Sequence, residues 1–453
     1  MVLPEEGGRV GRRPIPHAPS LKRGGFFCLY LTPHSPHFPF SILILPMPTF
    51  HLKKHFDVIP LLGAVLLLLT WSVGCRRTTP SAPAASTPHL PIITIATEDS
   101  LDWDDYVSGS FVYHNMGDSS ELKGKVKFRG GFSSRYPKHS YALKLKEKFS
   151  LCGLPANKNW VLNASYIDKT FMRHKLCYDL FRMMGDYNLA PQCAYALVHE
   201  NGSPQGLYVV MQRLNKKVLG LDEKDSEAFI FKEPKVFFAD NVMPPRSEAE
   251  PNFHGQNYPD FEKQGDQSAI VDDFHRFITS SSDEKFSSEI GEWIDIRNVL
   301  DWHLLILFTN GGDGVLKNFY LYKQNAQTPF RVALWDCDHS FGRDGDNELN
   351  MLDHLPDDHR NILFNRLMQM DWYQEMMLKR WWQLRNSGVF SYQNIEKMVK
   401  ENDRFIQMGI AENCKLWSFQ SEFYFDGNDY EQEKAIILQF VTLSLQHLDE
   451  MFQ

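Results

Sequence analysis

Three polar side chains between residues 310 and 342 have the types and the spacing to do chemistry. Asp313 and Asn318 are five residues apart in a glycine-led loop, and Asp336 follows a later apolar run. Carboxylate and amide oxygens are ligands of hard divalent cations such as Mg²⁺, which usually share them with substrate phosphates. Any one of the three alone would be better explained as a turn cap, but their joint spacing favours a site for a cation and a phosphate.

A predicted β-hairpin is the element that must bring these side chains together. It is formed by NFYLYK (318–323) and FRVALWD (330–336), two runs rich in apolar and aromatic residues. Because a hairpin returns the chain close to its start, we expect Asn318 and Asp336 to converge. Protein kinases use this pattern of D-x-x-x-x-N, a hairpin, and a second Asp before Phe-Gly. In that template the first Asp, here Asp313, accepts the hydroxyl proton, and the other two residues hold metal.

The rest of the chain divides into a β-rich half and a helical half. Alternating polar and apolar residues predict strands at 91–97, 108–115, 122–130 and 140–146. The pair Asn201-Gly202 marks a further hairpin turn. Apolar residues at helical spacing predict helices at 168–185, 294–310, 371–385, 392–406 and 434–452. This order predicts an α+β fold in two lobes, with a β-rich N-terminal lobe and a mainly helical C-terminal lobe.

The N-terminal segment has the layout of an exported signal peptide. Lys53 and Lys54 precede an apolar stretch from about Val58 to Val73, and small residues lead to Cys75. The ending from Ser72 to Cys75 resembles a bacterial lipobox, which implies that Cys75 is lipidated. An uncleaved anchor helix is the alternative, although the stretch is shorter than the roughly 20 residues that span a bilayer.

The chain is therefore expected to have four parts. Residues 1–46 are expected to be a non-native or disordered extension, residues 47–75 the lipoprotein signal peptide, and residues 76–90 a flexible tether rich in Pro, Ala and Ser. The folded domain covers residues 91–453. Within it, residues 234–290 are polar and rich in turn-forming residues, which favours an insertion or a long surface loop.

The composition of the chain argues against binding of nucleic acid and against a structural zinc site. The net charge is −8 and the pI is about 6.1, so the chain lacks the basic excess of a protein that binds nucleic acid. Nucleic acid is therefore not expected as a partner. The seven cysteines include no C-x-x-C pair, so no structural zinc site is expected and the cysteines are interpreted as small buried hydrophobes.

Five blocks of sequence resemble, in order, the CotH kinase family, which comprises atypical protein kinases related to spore coat protein H. The blocks are KFRGGFSSRYPKHSYALKLK, LPANKNWVLNASYIDKTFMRH, NGSPQGLYVVMQ, NGGDGVLKNFYLY and VALWDCDHSFG. The resemblance runs from about Pro91 to the C-terminus and is weaker through residues 234–290. It implies an atypical protein-kinase-like two-lobed fold. It also implies phosphoryl transfer from ATP, with Mg²⁺ or Mn²⁺, to a Ser or Thr hydroxyl of a protein.

The resemblance also implies roles for individual residues. The family's catalytic Asp falls on Asp313. Its metal ligands fall on Asn318 and Asp336, with Asp338 as a further ligand. Its nucleotide-facing turn is occupied by Arg129, Gly130, Ser133 and Ser134. These residue types suit a phosphate, because glycine lets the backbone approach it while arginine and hydroxyl groups donate hydrogen bonds to it.

A lysine is expected to neutralise the nucleotide phosphates. Lys144 is the first candidate, because Tyr141-Ala142-Leu143-Lys144 resembles the V-A-I-K strand of protein kinases. Lys138 and Lys146 follow the same period of two, so the assignment can shift to a neighbouring lysine. A row of solvated lysines on a strand is the other interpretation. The sequence assigns no carboxylate partner to this lysine.

Two other functions remain open from the sequence. The family often has an acid where Gln212 stands and an asparagine where Gly131 stands, and the loss of an acidic group leaves a pseudokinase as an alternative. Such a protein would be a non-catalytic interaction scaffold of the cell envelope, associated with carbohydrate. A metal-dependent hydrolase would share the acidic residues, but the chain has no H-E-x-x-H motif. The leading prediction is an exported, membrane-anchored lipoprotein kinase on the periplasmic or cell-surface face of a bacterial membrane.

Overall fold

The computed structural model describes residues 89–242, 251–344, 347–421, 423–424 and 426–453. The predicted extension 1–46, the predicted signal peptide 47–75 with Cys75, and most of the predicted tether 76–90 lie outside the described residues. The described residues, from 89 onward, form one compact unit. Among the described helices, none is both long enough and apolar enough to cross a membrane.

Seven strands close into a β-barrel on the N-terminal side of the compact unit. They are β1 (Ile92–Thr97), β2 (Val107–Asn115), β3 (Asp118–Arg129), β4 (Ser140–Phe149), β5 (Asn157–Asn163), β6 (Cys193–Glu200) and β7 (Ser203–Gln212). Neighbouring strands run antiparallel in the order β1-β2-β3-β4-β5-β7-β6, and β6 closes the barrel by pairing parallel with β1. The four predicted strands of the first half are confirmed. Their closure into a barrel removes the free edges that an open sheet would expose.

The sequence of the barrel strands explains this arrangement. Alternate residues such as Ile95, Phe111 and Val126 are buried together inside the barrel, while the residues between them face outward. The predicted hairpin turn at Asn201-Gly202 joins β6 to β7. The φ angles of these two residues are 48° and 82°, which a tight hairpin turn requires and which asparagine and glycine tolerate.

A second sheet of four strands carries the predicted hairpin. Its strands are β8 (Phe229–Lys232), β9 (Gln256–Tyr258), β10 (Phe319–Lys323) and β11 (Arg331–Leu334), in the order β11-β10-β8-β9. β10 and β11 pair antiparallel with Phe319 opposite Leu334, which confirms the hairpin. The hairpin is not isolated, because β8 pairs with β10 along its other edge.

Helices make up most of the second half of the chain, and one helix, α1 (Arg173–Met184), lies between β5 and β6. The helices of the second half are α2 (Phe261–Gln264), α3 (Ala269–Ser280), α4 (Asp283–Trp293), α5 (Ile296–Thr309), α6 (Ile362–Leu367), α7 (Asp371–Asn386), α8 (Tyr392–Leu416) and α9 (Tyr430–Met451). α5 is buried on nearly all sides and packs against α1, α7, α9 and β11. This enclosed position explains why its sequence is apolar all round. The predicted α+β class, with a β-rich first part and a helical second part, is confirmed.

The segment 234–290 contains more regular structure than a long loop would have. Its described part includes β9, α2, α3 and most of α4. The apolar residues of α3 recur at helical spacing. Three of them, Val271, Phe274 and Ile278, are buried in the main core. The described part of the segment is therefore not a long loop. In α3, polar residues of the kind that suggested a loop lie on the outer face of the helix, while the apolar residues at helical spacing face the core. That the segment is an insertion stays a prediction.

A buried network of charged side chains joins α1 to α9 and to the loop after β11. Arg173 of α1 forms ion pairs with Asp168 at 2.7 Å and with Glu433 of α9 at 3.1 Å. Arg173 also donates to the backbone oxygen of Ser340 at 3.0 Å. Arg343 approaches Glu433 from the other side, and neither of these side chains is more than 3% exposed. Arg343 also pairs with Asp426 at 2.8 Å, so removing Glu433 would leave each arginine one carboxylate but would give the buried network an excess of positive charge.

Replacing Glu433 with glutamine is expected to lower the free energy of unfolding by about 3–5 kcal/mol, because two buried arginines lose their shared counter-charge. Glu431→Gln is the matched control on the same helix, since the Glu431 side chain is 70% exposed. That change should cost less than about 0.5 kcal/mol. Urea unfolding of the full-length protein, followed by circular dichroism, measures both. Equal stability of the two variants would contradict the role given to the network.

Candidate functional site

A polar cavity of about 590 Å³ lies between the barrel and the loops around the β10–β11 hairpin. On the barrel side it is lined by the turn after β3, including Arg129, Gly130 and Ser133. On the other side it is lined by Asp313, Asn318, Asp336 and Asp338. The structure therefore brings these predicted site residues together around one space. Ser134 and Lys144 are not among the residues that line it.

Asp313 lies in a short 3-10 turn, Gly312–Val315, that follows α5. α5 ends at Thr309, and the left-handed φ of 53° at Asn310, the residue after it, stops the helix and redirects the chain. The Asp313 carboxylate is 2.9 Å from the Lys317 amino group and remains 26% exposed. A carboxylate in this position can accept a proton from a hydroxyl group that enters the cavity.

Asn318 and Asp336 stand at the two ends of the hairpin. The backbone N–H of Trp335 donates to the backbone oxygen of Asn318 at 3.0 Å, so the two ends of the hairpin converge as predicted. Both Asn318 and Asp336 have left-handed backbones, with φ of 63° and 53°, which asparagine and aspartate tolerate better than most residues. The Asp336 N–H donates to the Tyr178 hydroxyl at 2.8 Å, which fixes the end of the hairpin against α1.

His174, in the first turn of α1, contacts the Asp336 carboxylate with its Nε2 atom 3.0 Å from Oδ1. The imidazole is 2% exposed, whereas the Asp336 side chain is 45% exposed. Burial alone would lower the pKa of His174, but the hydrogen bond with Asp336 and the charges of Asp338 and Asp336 outweigh it and raise the pKa to about 9. Burial likewise opposes ionisation of Asp336, but His174 and Arg129 outweigh it and lower the pKa of Asp336. The pair is therefore ionic at neutral pH.

The acidic residues at the end of the hairpin suit a divalent cation. One ligand atom each of His174, Asp336 and Asp338 lie within 4.8 Å of one another. Burial and the negative charges of Asp336 and Asp313 raise the pKa of Asp338, which shows how much negative charge is concentrated here. A cation would relieve this repulsion, and the Asn318 amide oxygen adds a donor that hard cations accept. The Nε2 atom of His174 contacts the Asp336 carboxylate, so we assign His174 to positioning that carboxylate.

The turn after β3 brings backbone and hydroxyl groups to the opposite side of the cavity. Gly130 has a φ of 145°, and a Cβ atom there would overlap the Ser133 hydroxyl, so the turn requires glycine. The Ser134 hydroxyl donates to the backbone oxygen of Gly131 at 2.7 Å and therefore stabilises the turn itself. The Arg129 guanidinium lies 5.5 Å from the centre of the Trp335 ring. Arg129 and Ser133, but not Ser134, are placed to meet a phosphate.

The structure does not bring Lys144 into the cavity. Lys144 is an exposed residue of β4, opposite Lys125 in the register of the barrel. The alternative, Lys138, does line the cavity and is 2% exposed. Its amino group donates to the Ala164 backbone oxygen at 3.1 Å and to the Asn413 side chain at 2.9 Å, and burial lowers the pKa of Lys138. These bonds tie the barrel to α8, so Lys138 has a structural role.

A model of the family described as CotH kinase protein matches residues 126–448, which is more than half of the chain. The chain belongs to the CotH kinase family. One CotH relative is the protein named "Inner spore coat protein H" of Bacillus subtilis (strain 168), which is 26% identical over 251 residues. The aligned region covers 54% of this chain and 66% of that protein, slightly less than two thirds of its length. The CotH resemblance expected from the five sequence blocks is therefore confirmed.

Three residues of this CotH site were not predicted from the sequence. Lys317 has a local signal, because it lies four residues after Asp313 and pairs with it. Lys232 lines the cavity from the end of β8, where no strand was predicted. His174 and Asp336 are 162 residues apart, so no local pattern connects them.

In the metal-free CotH protein, kept in EDTA, Asp336→Asn should lower the pKa of His174 from its value of about 9, because burial is then less opposed. Histidine labelled with carbon-13 in the full-length protein reports this pKa by NMR, and His174→Gln assigns the signal. Asp353→Asn, which removes an exposed carboxylate, is the control. The raised pKa also means that His174 contributes stability below about pH 6.5 that is lost as the pH rises through about 9. An unchanged pKa in Asp336→Asn would contradict the ion pair.

Proposed function

We propose that this CotH kinase family member transfers the γ-phosphoryl group of ATP, with Mg²⁺ or Mn²⁺, to a Ser or Thr hydroxyl of a protein. The observation that carries the proposal is the convergence of Asp313, Asn318 and Asp336 on one polar cavity. The same cavity has Arg129 and the glycine turn on its opposite side. Its volume of about 590 Å³ is within the range of sites that take ligands as large as a nucleotide.

Asp313 is the proposed base of the reaction. Its carboxylate accepts the proton of the acceptor hydroxyl while that oxygen forms its bond to the γ-phosphorus. The bond between the same phosphorus and the bridging oxygen breaks, and ADP leaves with the negative charge. Lys317, 2.9 Å from the Asp313 carboxylate, would offset the charge of the phosphate oxygens near the transfer.

The phosphates of the nucleotide would be bound from both sides of the cavity. Arg129 and the Ser133 hydroxyl are the proposed donors on the barrel side, where Gly130 lets the backbone approach. On the hairpin side, Asn318, Asp336 and Asp338 would hold the divalent cation. When bound, that cation would neutralise charge on the phosphate oxygens.

We further propose that the barrel and the helical part act as the two lobes of a kinase-like fold, in support of which the cavity lies between them. An exported, lipid-anchored location is proposed from the signal-peptide and lipobox pattern that ends at Cys75. The name of the Bacillus subtilis relative assigns that protein to a spore coat, in keeping with a place at the periplasmic or cell-surface face. In this arrangement the lipid would be the contact with the membrane.

A non-catalytic scaffold is the second candidate, and two observations favour it. Lys144 lies outside the cavity. Gln212, where the family often has an acid, is buried, and its amide contacts the Pro155 backbone oxygen rather than lining the cavity. A wild-type protein that binds no nucleotide with any divalent metal would support the scaffold and overturn the kinase.

The base role predicts that Asp313→Asn lowers the transfer rate by at least about 100-fold, because the acceptor hydroxyl loses its proton acceptor. The fold should persist, since the pair with exposed Lys317 is worth at most about 1 kcal/mol. Labelled γ-phosphate transfer by the full-length protein to a generic Ser/Thr acceptor such as casein measures the rate. Asp353→Asn is the control, and equal rates in the two variants would show that Asp313 is not the base.

The metal role predicts that Asp336→Asn/Asp338→Asn weakens Mn²⁺ binding at least about tenfold, since both charged ligands are lost. Electron paramagnetic resonance of free Mn²⁺ during a titration measures the affinity. The matched control is Glu348→Gln/Asp353→Asn, which removes the same charge from exposed positions. If the two double variants bind Mn²⁺ alike, the effect is one of net charge and the proposed ligands are wrong.

A further inference from the structure

A second cavity, of about 170 Å³, adjoins the candidate site and is lined by cations. It lies where the outer face of β3, β4 and β5 meets the second sheet. Its charged residues are Lys127, Arg129, Arg213 and Lys232. No aspartate or glutamate is found among the described residues that line it. This concentration of positive charge occurs in a chain whose net charge is −8.

Lys232 pairs with the adjacent Glu233 at 3.5 Å, whereas the donors of the other three cations are only partly used within the protein. The Lys127 amino group donates once, to the Asp104 backbone oxygen at 2.7 Å, and lies 5.2 Å from the centre of the Tyr106 ring. Its other two N–H groups remain for a ligand. In the part of the chain that the structure describes, the guanidinium groups of Arg129 and Arg213 form no salt bridge. Two arginine forks and a lysine therefore offer donors of the kind that bind carboxylate and phosphate groups.

The second cavity is joined to the first by shared residues. Arg129, Lys232 and Trp335 line both. A volume of about 170 Å³ is small for a nucleotide but sufficient for one anionic group on a short stem. One polypeptide can therefore place a hydroxyl near Asp313 in the large cavity and an anionic side chain in the small one.

We propose that the second cavity binds a carboxylate side chain of the protein substrate, close in sequence to the accepting Ser or Thr. This inference rests on the proposed phosphoryl transfer and adds a substrate class to it. Trp335 and Tyr106 hold Arg129 and Lys127 by cation–π contacts, so the donors are kept in place for the anion. Complementary charge of this kind selects between substrates.

The test uses two fluorescent peptides of equal length, one with a serine flanked by glutamates and one with the same serine flanked by glutamines. Their binding to the full-length protein is measured by anisotropy, without nucleotide or metal. The wild type should prefer the glutamate peptide. Lys127→Gln/Arg213→Gln should weaken its binding about tenfold or more, because two charge-assisted contacts are lost. These two residues line only the second cavity, so the first is left intact.

The control variant is Lys125→Gln/Lys217→Gln, which removes the same charge from exposed positions and should bind the glutamate peptide like the wild type. Equal weakening in both double variants, or no preference for glutamate in the wild type, would overturn the proposal. So would a tenfold loss of ATP affinity in Lys127→Gln/Arg213→Gln with peptide binding unchanged, since the nucleotide would then occupy the cavity. Asp313→Asn should still bind the glutamate peptide, which separates failure of this site from failure of catalysis.

Discussion

Two adjacent residues at the start of α1 fix the loop that carries the acidic site. His174 pairs with Asp336 at one end of this loop, and Arg173 donates to the backbone oxygen of Ser340 at the other. Both side chains are buried, so moving the loop would separate His174 from the Asp336 carboxylate and leave an Arg173 N–H without its acceptor. The connection after β11 is therefore more constrained than an ordinary surface loop. Together with the hydrogen bond from Asp336 to Tyr178, these contacts fix the end of the hairpin against α1.

The same contacts explain how several carboxylates can be close together before any ligand binds. Asp336 is balanced by His174, and Asp313 is balanced by Lys317. Among the described residues, Asp338 has no such close cationic partner, and burial and its acidic neighbours raise the pKa of its carboxyl group. The cluster is therefore stable enough to form, yet it retains unrelieved repulsion that a divalent cation would remove. The proposed cation would therefore bind to a cluster whose charges are already partly compensated by neighbouring side chains.

The sequence predicted the parts of the site that depend on local pattern. Asp313, Asn318 and Asp336 were found because a hairpin of known geometry connects them, and the structure has that hairpin. Lys144 was assigned by its likeness to a kinase strand, but a one-dimensional pattern cannot tell which face of a barrel strand meets the cavity. His174 could not be found, because its partner is distant in sequence.

The fold shows the same division between local and distant signals. Strands and helices with a clear period were predicted, as was the turn at Asn201-Gly202. The closure of the barrel was not, because the pairing of β1 with β6 joins segments about 100 residues apart along the chain. β8 was also missed, since a short buried strand has no alternation to detect. β8 places Lys232 beside the hairpin, so this lysine was harder to predict than Arg129, which ends the predicted strand β3.

The position of Arg129 has a consequence for how the two cavities work together. It lines both of them and lies against Trp335, the residue before Asp336. Lys232 is paired with Glu233, but the other three cations close to this small space repel one another, and an anion in either cavity reduces that repulsion for Arg129. Ligands of the two cavities therefore act on the same groups, and any change in affinity that one causes in the other must be reciprocal. In a phosphotransferase this coupling would make the affinity for the nucleotide phosphates depend on whether an acidic substrate is bound.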